Sequence, residues 1–412
     1  MTLSVDLLHY HSSGNRFVYF PTTINWNNKT GEELTQKFSK KENLNLYIHL
    51  PFCRELCTFC GCNIKISQKK EEHLEYIEAV IKEFELKGGH SSVITTLTLG
   101  GGTPNILHPE AKLLLKNFLK QNVSATLVDS HVELEPKTFS KEDYDYYKSI
   151  GINRFSFGIQ DFSEKICANV NRHQTPKEIQ NAFENLSKED CKGIDLIWGL
   201  PFQNKETVKE WHPFIEKIDP DWISFYPLAQ VPWLKAYQNA YGDFTLPTKV
   251  AKYQIFEAGV SLFEELGFVH FGFGHFIKKS GLLGPAFKGK TLTRLVSGLY
   301  PNEVHKTLAI GVGAISDFGD SLHQNFRILE KYKHTVLAQN KIPTEKTHQL
   351  DSKNLAQKAK ISEIIGQNRL SLSDYQSIKD KFPTNWFNET NETISISPYG
   401  RHFLAQILKE LI

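Results

Sequence analysis

Residues 44–63 read LNLYIHLPFCRELCTFCGCN, an apolar, β-rich run followed at once by a loop that carries Cys53, Cys57, Cys60 and Cys62. The run reads as the first of six strands. The others are ITTLTLG (94–100), SHVELE (130–135), RFSFGI (154–159), GIDLIWG (193–199) and DWISFYP (221–227). Helical periodicity fills the intervals, at EEHLEYIEAVIKEFELKG (71–88), PEAKLLLKNFLKQN (109–122), KEDYDYYKSIG (141–151), TPKEIQNAFENLSK (175–188) and KETVKEWHPFIEKI (205–218). A further amphipathic stretch, VAKYQIFEAGVSLFEELG (250–267), follows the last strand. Strands alternating with helices at this spacing imply βαβ units and a parallel sheet with helices outside. Right-handed crossovers curl such a sheet either into a barrel or into an open, doubly wound form.

The chain has 412 residues, enough for one large domain and a smaller one. Hydrophobic residues make up 40% and charged residues 23%, and the net charge of +2 carries no electrostatic footprint for nucleic acid or an acidic membrane surface. No stretch approaches the ~20 apolar residues that span a bilayer. The opening MTLSVDLLHYHSSG has neither the basic start nor the apolar run of a secretory signal. A cytoplasmic protein is therefore expected, with no membrane insertion and no nucleic-acid partner. Residues 1–43 carry the aromatic segment FVYFPTTINW (17–26) and read as an arm packed on the repeat, which occupies 44–320. From 321 to 412 the pattern turns helical and ends in ISISPYGRHFLAQILKEL (394–411), a short strand, a turn and a helix resembling a small winged-helix-like module. Such a module could bind a partner, cover a site or cap the core.

Of six cysteines, four fall between residues 53 and 62, while Cys167 and Cys191 stand alone. A disulfide scaffold would spread its cysteines through a small secreted domain. Structural zinc wants four ligands, usually as two separated pairs, and no second pair follows here. Three thiolates on one loop can instead ligate three irons of a 4Fe–4S cubane and leave the fourth open. S-adenosylmethionine can chelate that iron through its amino and carboxylate groups; an electron from the cluster then cleaves its carbon–sulfur bond, giving methionine and a 5′-deoxyadenosyl radical.

Position agrees with this chemistry, which in parallel α/β barrels gathers at the C-terminal ends of strands. The cysteine loop follows the first strand, and Gly100, Gly101, Gly102, Thr103 and Pro104 follow the second. Glu133 and Glu135, two residues apart on the third, share one face. Gln160 and Asp161 end the fourth strand, and Asp195 sits within the fifth. Taken singly, each has an ordinary structural reading as a loop, a solvated carboxylate pair or a structural hydrogen bond. Their coincidence after successive strands, beside a cysteine triad, makes the joint reading functional. No nucleophile triad or phosphate-binding P-loop competes with it.

At these residues the chain resembles the radical S-adenosylmethionine superfamily and, more narrowly, the oxygen-independent coproporphyrinogen III dehydrogenase (oxidase) family. The resemblance is carried by CRELCTFCGCN (53–63), GGGTP (100–104), VELEP (132–136), FGIQDF (157–162), VNRHQ (170–174), IDLIWGLP (194–201) and GVGAIS (311–316), with GNRFVYFPT (14–22) similar to the family's arm motif. CGCN is the family-specific part. The similarity runs from about residue 7 to 320, with a weaker echo in the tail. It implies a partial (β/α)6-type radical SAM barrel at 44–320, with an N-terminal arm at 1–43 and a small, mainly helical C-terminal domain at 321–412. It also implies that Cys53, Cys57 and Cys60 ligate the cluster and Cys62 does not. Tyr47, Gly101, Glu133 and Ile315 would contact the cluster-bound S-adenosylmethionine. Phe59, Gly102, Thr103, Gln160, Arg172, Asp195 and Ala229 would contact a second molecule of it. The implied reaction is oxidative decarboxylation of two propionates of a tetrapyrrole to vinyl groups, fed by an electron donor that the sequence does not identify. Arg16, among the arm's aromatics, is a candidate for the anionic substrate.

Several segments depart from the family pattern. Val296, Ser297, Gly298, Leu299 and Tyr300 stand where the family has Phe-Gln-Gly-Tyr-Thr. Its Met-Asp-His-Phe reads Phe273, Gly274, His275 and Phe276 here, without the acid. Pro227, Leu228, Ala229 and Gln230 replace Asn-Tyr-Ala-His and keep only the alanine. These changes lie on the substrate side and leave the cluster motif whole. Two other functions use the same residues: a radical methyltransferase acting on another tetrapyrrole or aromatic substrate, and a non-catalytic haem-binding or haem-trafficking relative.

Overall fold

Leu44, Leu46, Ile48 and Leu50 of strand β1 (Asn43–Leu50) point into the hydrophobic core, and Asn45, Tyr47 and His49 alternate with them on the other face. The same alternation runs through β2 (Val93–Gly101), where a bulge at Thr95 interrupts it once, and through β3 (Asp129–Leu134), β4 (Arg154–Gln160), β5 (Cys191–Trp198) and β6 (Trp222–Pro227). Val132, Phe155, Phe157, Ile194, Leu196, Ile223 and Phe225 form one core with the apolar faces of the surrounding helices. These helices are α1 (Lys70–Leu86), α2 (Pro109–Asn122), α3 (Lys141–Ser149), α4 (Pro176–Glu184), α5 (Lys205–Lys209), α6 (His212–Ile218) and α7 (Lys249–Glu265). A single core beneath all seven puts the helices on one side of the sheet, the arrangement of a barrel and not of a doubly wound sheet. The opposite strand faces carry His131, Glu133, Arg154, Ser156, Asp195 and Ser224, so the concave side is polar and open where a filled barrel would hold layers of branched apolar side chains.

The computed structural model describes residues 20–23, 26, 43–230, 232, 235–241, 245–295, 298–301, 306–390 and 393–412. The substrate candidate Arg16 and the altered positions Val296 and Ser297 lie outside the described residues. Strands β1 to β6 pair in parallel in chain order, and β9 (Thr307–Ile310) adds to the free edge of β1, also in parallel. Beyond β6 the sheet continues antiparallel through β8 (His275–Lys278) to β7 (Phe268–Gly272). Beyond β9 it continues antiparallel through β10 (Ile315–Asp317), β11 (Ser321–Asn325) and β12 (Thr344–Gln349), twelve strands in all among the described residues. The sheet therefore runs past residue 320, where the sequence pattern turns helical; SLHQN and TEKTHQ are short and polar and carry no apolar run to mark them as strands.

The stretch KETVKEWHPFIEKI forms two helices, α5 and α6, instead of one. Pro213 lies in the first turn of α6, where its missing N–H costs nothing, but it could not continue a helix from α5. After β12, α8 (Ser352–Gln367), α9 (Leu372–Ile378), a hairpin of Phe387–Glu389 with Ile394–Ile396, and α10 (Leu404–Leu411) build a second core. That core also takes in Trp222, Phe271, Ile277, Leu292 and Leu299, so the tail packs against the β6 to β8 end of the sheet. No helix among the described residues is long and apolar enough to cross a membrane.

Candidate functional site

The cysteine loop is closed at its base, where Phe52 and Cys53 pair in parallel with Lys65 and Ile66. Gly102 N–H donates to the Leu50 carbonyl and Thr103 N–H to that of Phe52, both at 2.8 Å, so the loop after β2 is zipped to the start of the cysteine loop. A Cβ at residue 102 would lie 2.6 Å from the Phe52 carbonyl oxygen, which only glycine avoids. The middle of the loop is held from the segment after β4: Thr58 N–H donates to Val170 O at 3.0 Å, and Asn171 Nδ2 to Leu56 O at 2.8 Å. At its far end His49 Nε2 lies 2.8 Å from Asn63 O.

Cys53, Cys57 and Cys60 thereby face one cavity of about 420 Å³, whose other walls come from the inner faces of β3 to β6. Cys53 Sγ lies 3.4 Å from Thr103 Oγ1, and Cys57 Sγ 3.8 Å from Arg172 Nη1. Burial pushes the Cys53 thiol up to about 12, partly opposed by its Thr103 contact. A hydrogen bond from the Cys62 thiol pulls Cys60 down to about 7. Among the described residues no group of three His, Cys, Asp or Glu side chains is placed to share one metal ion. A cubane asks for a different arrangement, one soft thiolate on each of three irons, and three thiols on one loop facing one cavity fit it.

Two carboxyls stand on the strands opposite the loop. Glu133 accepts from Gly101 N–H at 3.2 Å, and burial, reinforced by the charge of Asp195, pushes it up to about 7. Burial raises Asp195 to about 6 against the pull of the Ser224 hydroxyl and the Arg172 guanidinium. Deeper in, Arg154 makes a two-pronged ion pair with Asp129, both contacts 2.8 Å, and donates to Leu299 O at 2.6 Å. His131 Nε2 lies 2.8 Å from Ser156 Oγ beside it.

A carboxyl held above its ordinary value binds its proton more tightly folded than unfolded. Its contribution to stability is complete below pH 4.5 and is lost as pH rises through about 7. The thermal midpoint of the cluster-free protein is accordingly expected to fall across that interval. Glu133→Gln is expected to flatten the fall without abolishing it, because Asp195 contributes in the same direction. An unchanged pH slope in the variant would contradict the burial of Glu133.

Similarity to known proteins converges on one family. The oxygen-independent coproporphyrinogen III oxidase of Synechocystis sp. is 32% identical over 344 residues, spanning 82% of this chain and 74% of its own. The chain belongs to the oxygen-independent coproporphyrinogen III oxidase family. The corresponding oxidase of Helicobacter pylori is 29% identical over 397 residues, 92% of this chain and 85% of its own. The Radical SAM superfamily model matches residues 47–215, which brings a 4Fe–4S cluster and S-adenosylmethionine as cofactors. The solved coproporphyrinogen III oxidase of Escherichia coli shares the fold at a TM-score of 0.88, with 24% identity and coverage of 99% of this chain and 98% of that one.

Of the residues matched to the oxidase family, Cys53, Cys57, Cys60, Phe59, Gly101, Gly102, Thr103, Glu133, Gln160, Arg172 and Asp195 line the cavity together, as does Cys62. Tyr47, Ala229 and Ile315 do not line it. The Tyr47 hydroxyl lies 3.1 Å from His49 Nδ1, Ala229 offers its carbonyl to Gln238 at 3.0 Å, and Ile315 packs with Trp26, Leu322 and Leu350. His131, Arg154, Ser156, Trp222, Ser224, Tyr226 and Arg294 also line it, and strand ends alone do not point to them. Their signal in the first six cases is the alternation of polar or amphipathic with apolar residues along β3, β4 and β6. Where the oxidase family has an acid, Gly274 adopts φ 78°, and a Cβ there would meet the Phe225 carbonyl oxygen at 2.3 Å, so this backbone accepts no side chain.

Proposed function

We propose that this chain decarboxylates two propionate side chains of coproporphyrinogen III to vinyl groups without oxygen, giving protoporphyrinogen IX in haem biosynthesis. The observation that carries the reading is one cavity shared by the cysteine triad and the polar strand faces, in a chain 32% identical to an oxidase of that name. Cys53, Cys57 and Cys60 would hold the cluster, and Cys62 would not. When bound, the cluster and S-adenosylmethionine would supply an adenosyl radical able to take a hydrogen atom from the propionate carbon attached to the ring, the one β to the carboxylate.

The protein's own part is binding and orientation. Gly101, Glu133, Tyr47 and Ile315 are assigned to the cluster-bound S-adenosylmethionine, the Gly101–Glu133 hydrogen bond placing a carboxyl where an ammonium group can meet it. Phe59, Gly102, Thr103, Gln160, Arg172, Asp195 and Ala229 are assigned to a second molecule; all but Ala229 line the same cavity as the triad. Each propionate loses a hydrogen atom, carbon dioxide and one electron, so an electron donor for the cluster and an acceptor for the substrate electron complete the reaction.

The test is anaerobic. The reconstituted protein is given reductant, S-adenosylmethionine and coproporphyrinogen III, and products are followed by mass spectrometry. A tripropionate intermediate followed by a divinyl product is the expected result. A methylated tetrapyrrole with S-adenosylhomocysteine would instead show a methyltransferase, and tight haem binding without turnover would show a haem-trafficking relative.

A further inference from the structure

A segment far along the chain reaches the cysteine loop with four side chains. Lys235 Nζ donates to the Cys62 carbonyl at 3.1 Å, the Tyr237 hydroxyl to the Cys60 carbonyl at 2.5 Å, and Gln238 Nε2 to the Phe59 carbonyl at 3.3 Å. Thr58 Oγ1 donates to the Tyr241 hydroxyl at 2.9 Å. From Thr58 to Cys62 every residue but Gly61 is thus held by residues 235–241. Gln238 is buried, 3% exposed, and the same Nε2 also donates to the Ala229 carbonyl at 3.0 Å. One amide therefore ties Phe59, between two of the cysteines, to Ala229, just beyond β6.

Residues 54–64 contain no helix or strand, so the loop pays the full conformational entropy of being held. The Cys57 carbonyl takes the Cys60 N–H at 3.1 Å within the loop, whereas the Phe59, Cys60 and Cys62 carbonyls take their donors from residues 235–241. Groups that bond the backbone of ligand residues fix where the ligands point and how tightly they hold their metal. We propose that residues 235–241 are a strap that positions the cysteine loop, with Gln238 the positioning residue that joins it to the second S-adenosylmethionine seat at Phe59 and Ala229. The proposal rests on the cluster and cofactor assignments made under the proposed function.

The experiment compares wild type, Gln238→Leu and Tyr237→Phe after anaerobic reconstitution. Three readouts are followed: iron release to a chelator, S-adenosylmethionine bound per chain in equilibrium dialysis, and the electron paramagnetic resonance of the reduced cluster. Gln238→Leu is expected to release iron about tenfold faster under conditions where the chain stays folded. It is also expected to bind one S-adenosylmethionine where wild type binds two, while the resonance still shifts when the first binds. Tyr237→Phe, which removes one hydroxyl and leaves the fold its full side-chain volume, is expected to speed iron release alone. Release at the wild-type rate in both variants would overturn the strap, and two bound S-adenosylmethionine molecules in Gln238→Leu would overturn the role given to Gln238. A wild type that itself binds one molecule would remove the second-cofactor assignment, and the iron-release comparison would still decide the strap.

Discussion

Cys57→Ala is expected to abolish both the brown absorbance of the reconstituted protein and its turnover, whereas Cys62→Ala is expected to keep the cluster. Cys53, Cys57 and Cys60 line the cavity from a loop tied at its base to Gly102 and Thr103 and at its middle to Val170 and Asn171. On the ligand set proposed above, each thiolate would serve a different iron of a cubane, so losing one would leave two irons without protein ligands. Arg172, at 3.8 Å from Cys57 Sγ, would then face a hole instead of a thiolate. Cys62 is exposed and acts on Cys60 through a hydrogen bond, so its loss shifts the acidity of a ligand without removing one. Iron and acid-labile sulfide per chain, with the visible spectrum, check both variants. Loss of iron in Cys62→Ala would show that the ligand set is not the triad.

Asp129→Ala is expected to lower the stability of the folded chain by about 3–5 kcal/mol, read from the denaturant midpoint. Both side chains of the Asp129–Arg154 pair are 4% exposed, and both contacts are 2.8 Å. Removing the carboxylate leaves a guanidinium buried with the Leu299 carbonyl at 2.6 Å and the Trp222 and Tyr300 rings as its partners among the described residues. Arginine cannot shed its proton to escape, so the desolvation cost stands uncompensated. Replacing both partners, Asp129→Leu with Arg154→Met, is expected to recover most of the loss, since no charge then remains buried. A cost below about 1 kcal/mol for Asp129→Ala would mean that water reaches the pair as it reaches a surface ion pair. The same variant loosens the tie from β4 to Leu299, which with Gly298 forms part of the cavity wall, so weaker substrate binding is expected alongside the lost stability.

The two experiments probe parts of the site that differ in how openly the sequence announces them. Cys53, Cys57 and Cys60 declare themselves by type and spacing, because three soft ligands within one loop have few other uses. Gly101, Gly102 and Thr103 follow a strand end, where chemistry is sought first. Arg172 lies in an irregular segment after a short helix, and only the likeness of VNRHQ to a known motif singles it out. Asp129 and Arg154 face each other across neighbouring strands, and the register of β3 against β4, His131 opposite Arg154, is what brings them together. A salt bridge of this kind leaves no local mark, since each partner alone is an ordinary polar residue at a strand start.

Among the elements, β1 to β6 and their helices follow from runs of four to eight apolar or β-branched residues and from helical periodicity. These are local signals, because the side-chain period depends only on neighbouring backbone. Strands β10 to β12 lack such runs and owe their place to pairing with an existing sheet edge. The split between α5 and α6 was already written in Pro213, whose ring and missing N–H act within one turn.

The short-range chemistry of this protein, a three-thiol loop at the end of a strand in an α/β repeat, is thus present in the chain before it folds. Part of what holds that loop in place comes from residues far along the chain: Asn171 to Leu56, 115 apart, and Gln238 to Phe59, 179 apart. Such contacts depend on strand register, crossover direction and loop closure, and spacing along a chain says nothing about which distant side chains those will bring together. The candidate thiols could be named from their order alone, and the carboxyls Glu133 and Asp195 from their strands; the strap and the ion pair beneath them existed only once the sheet had curled.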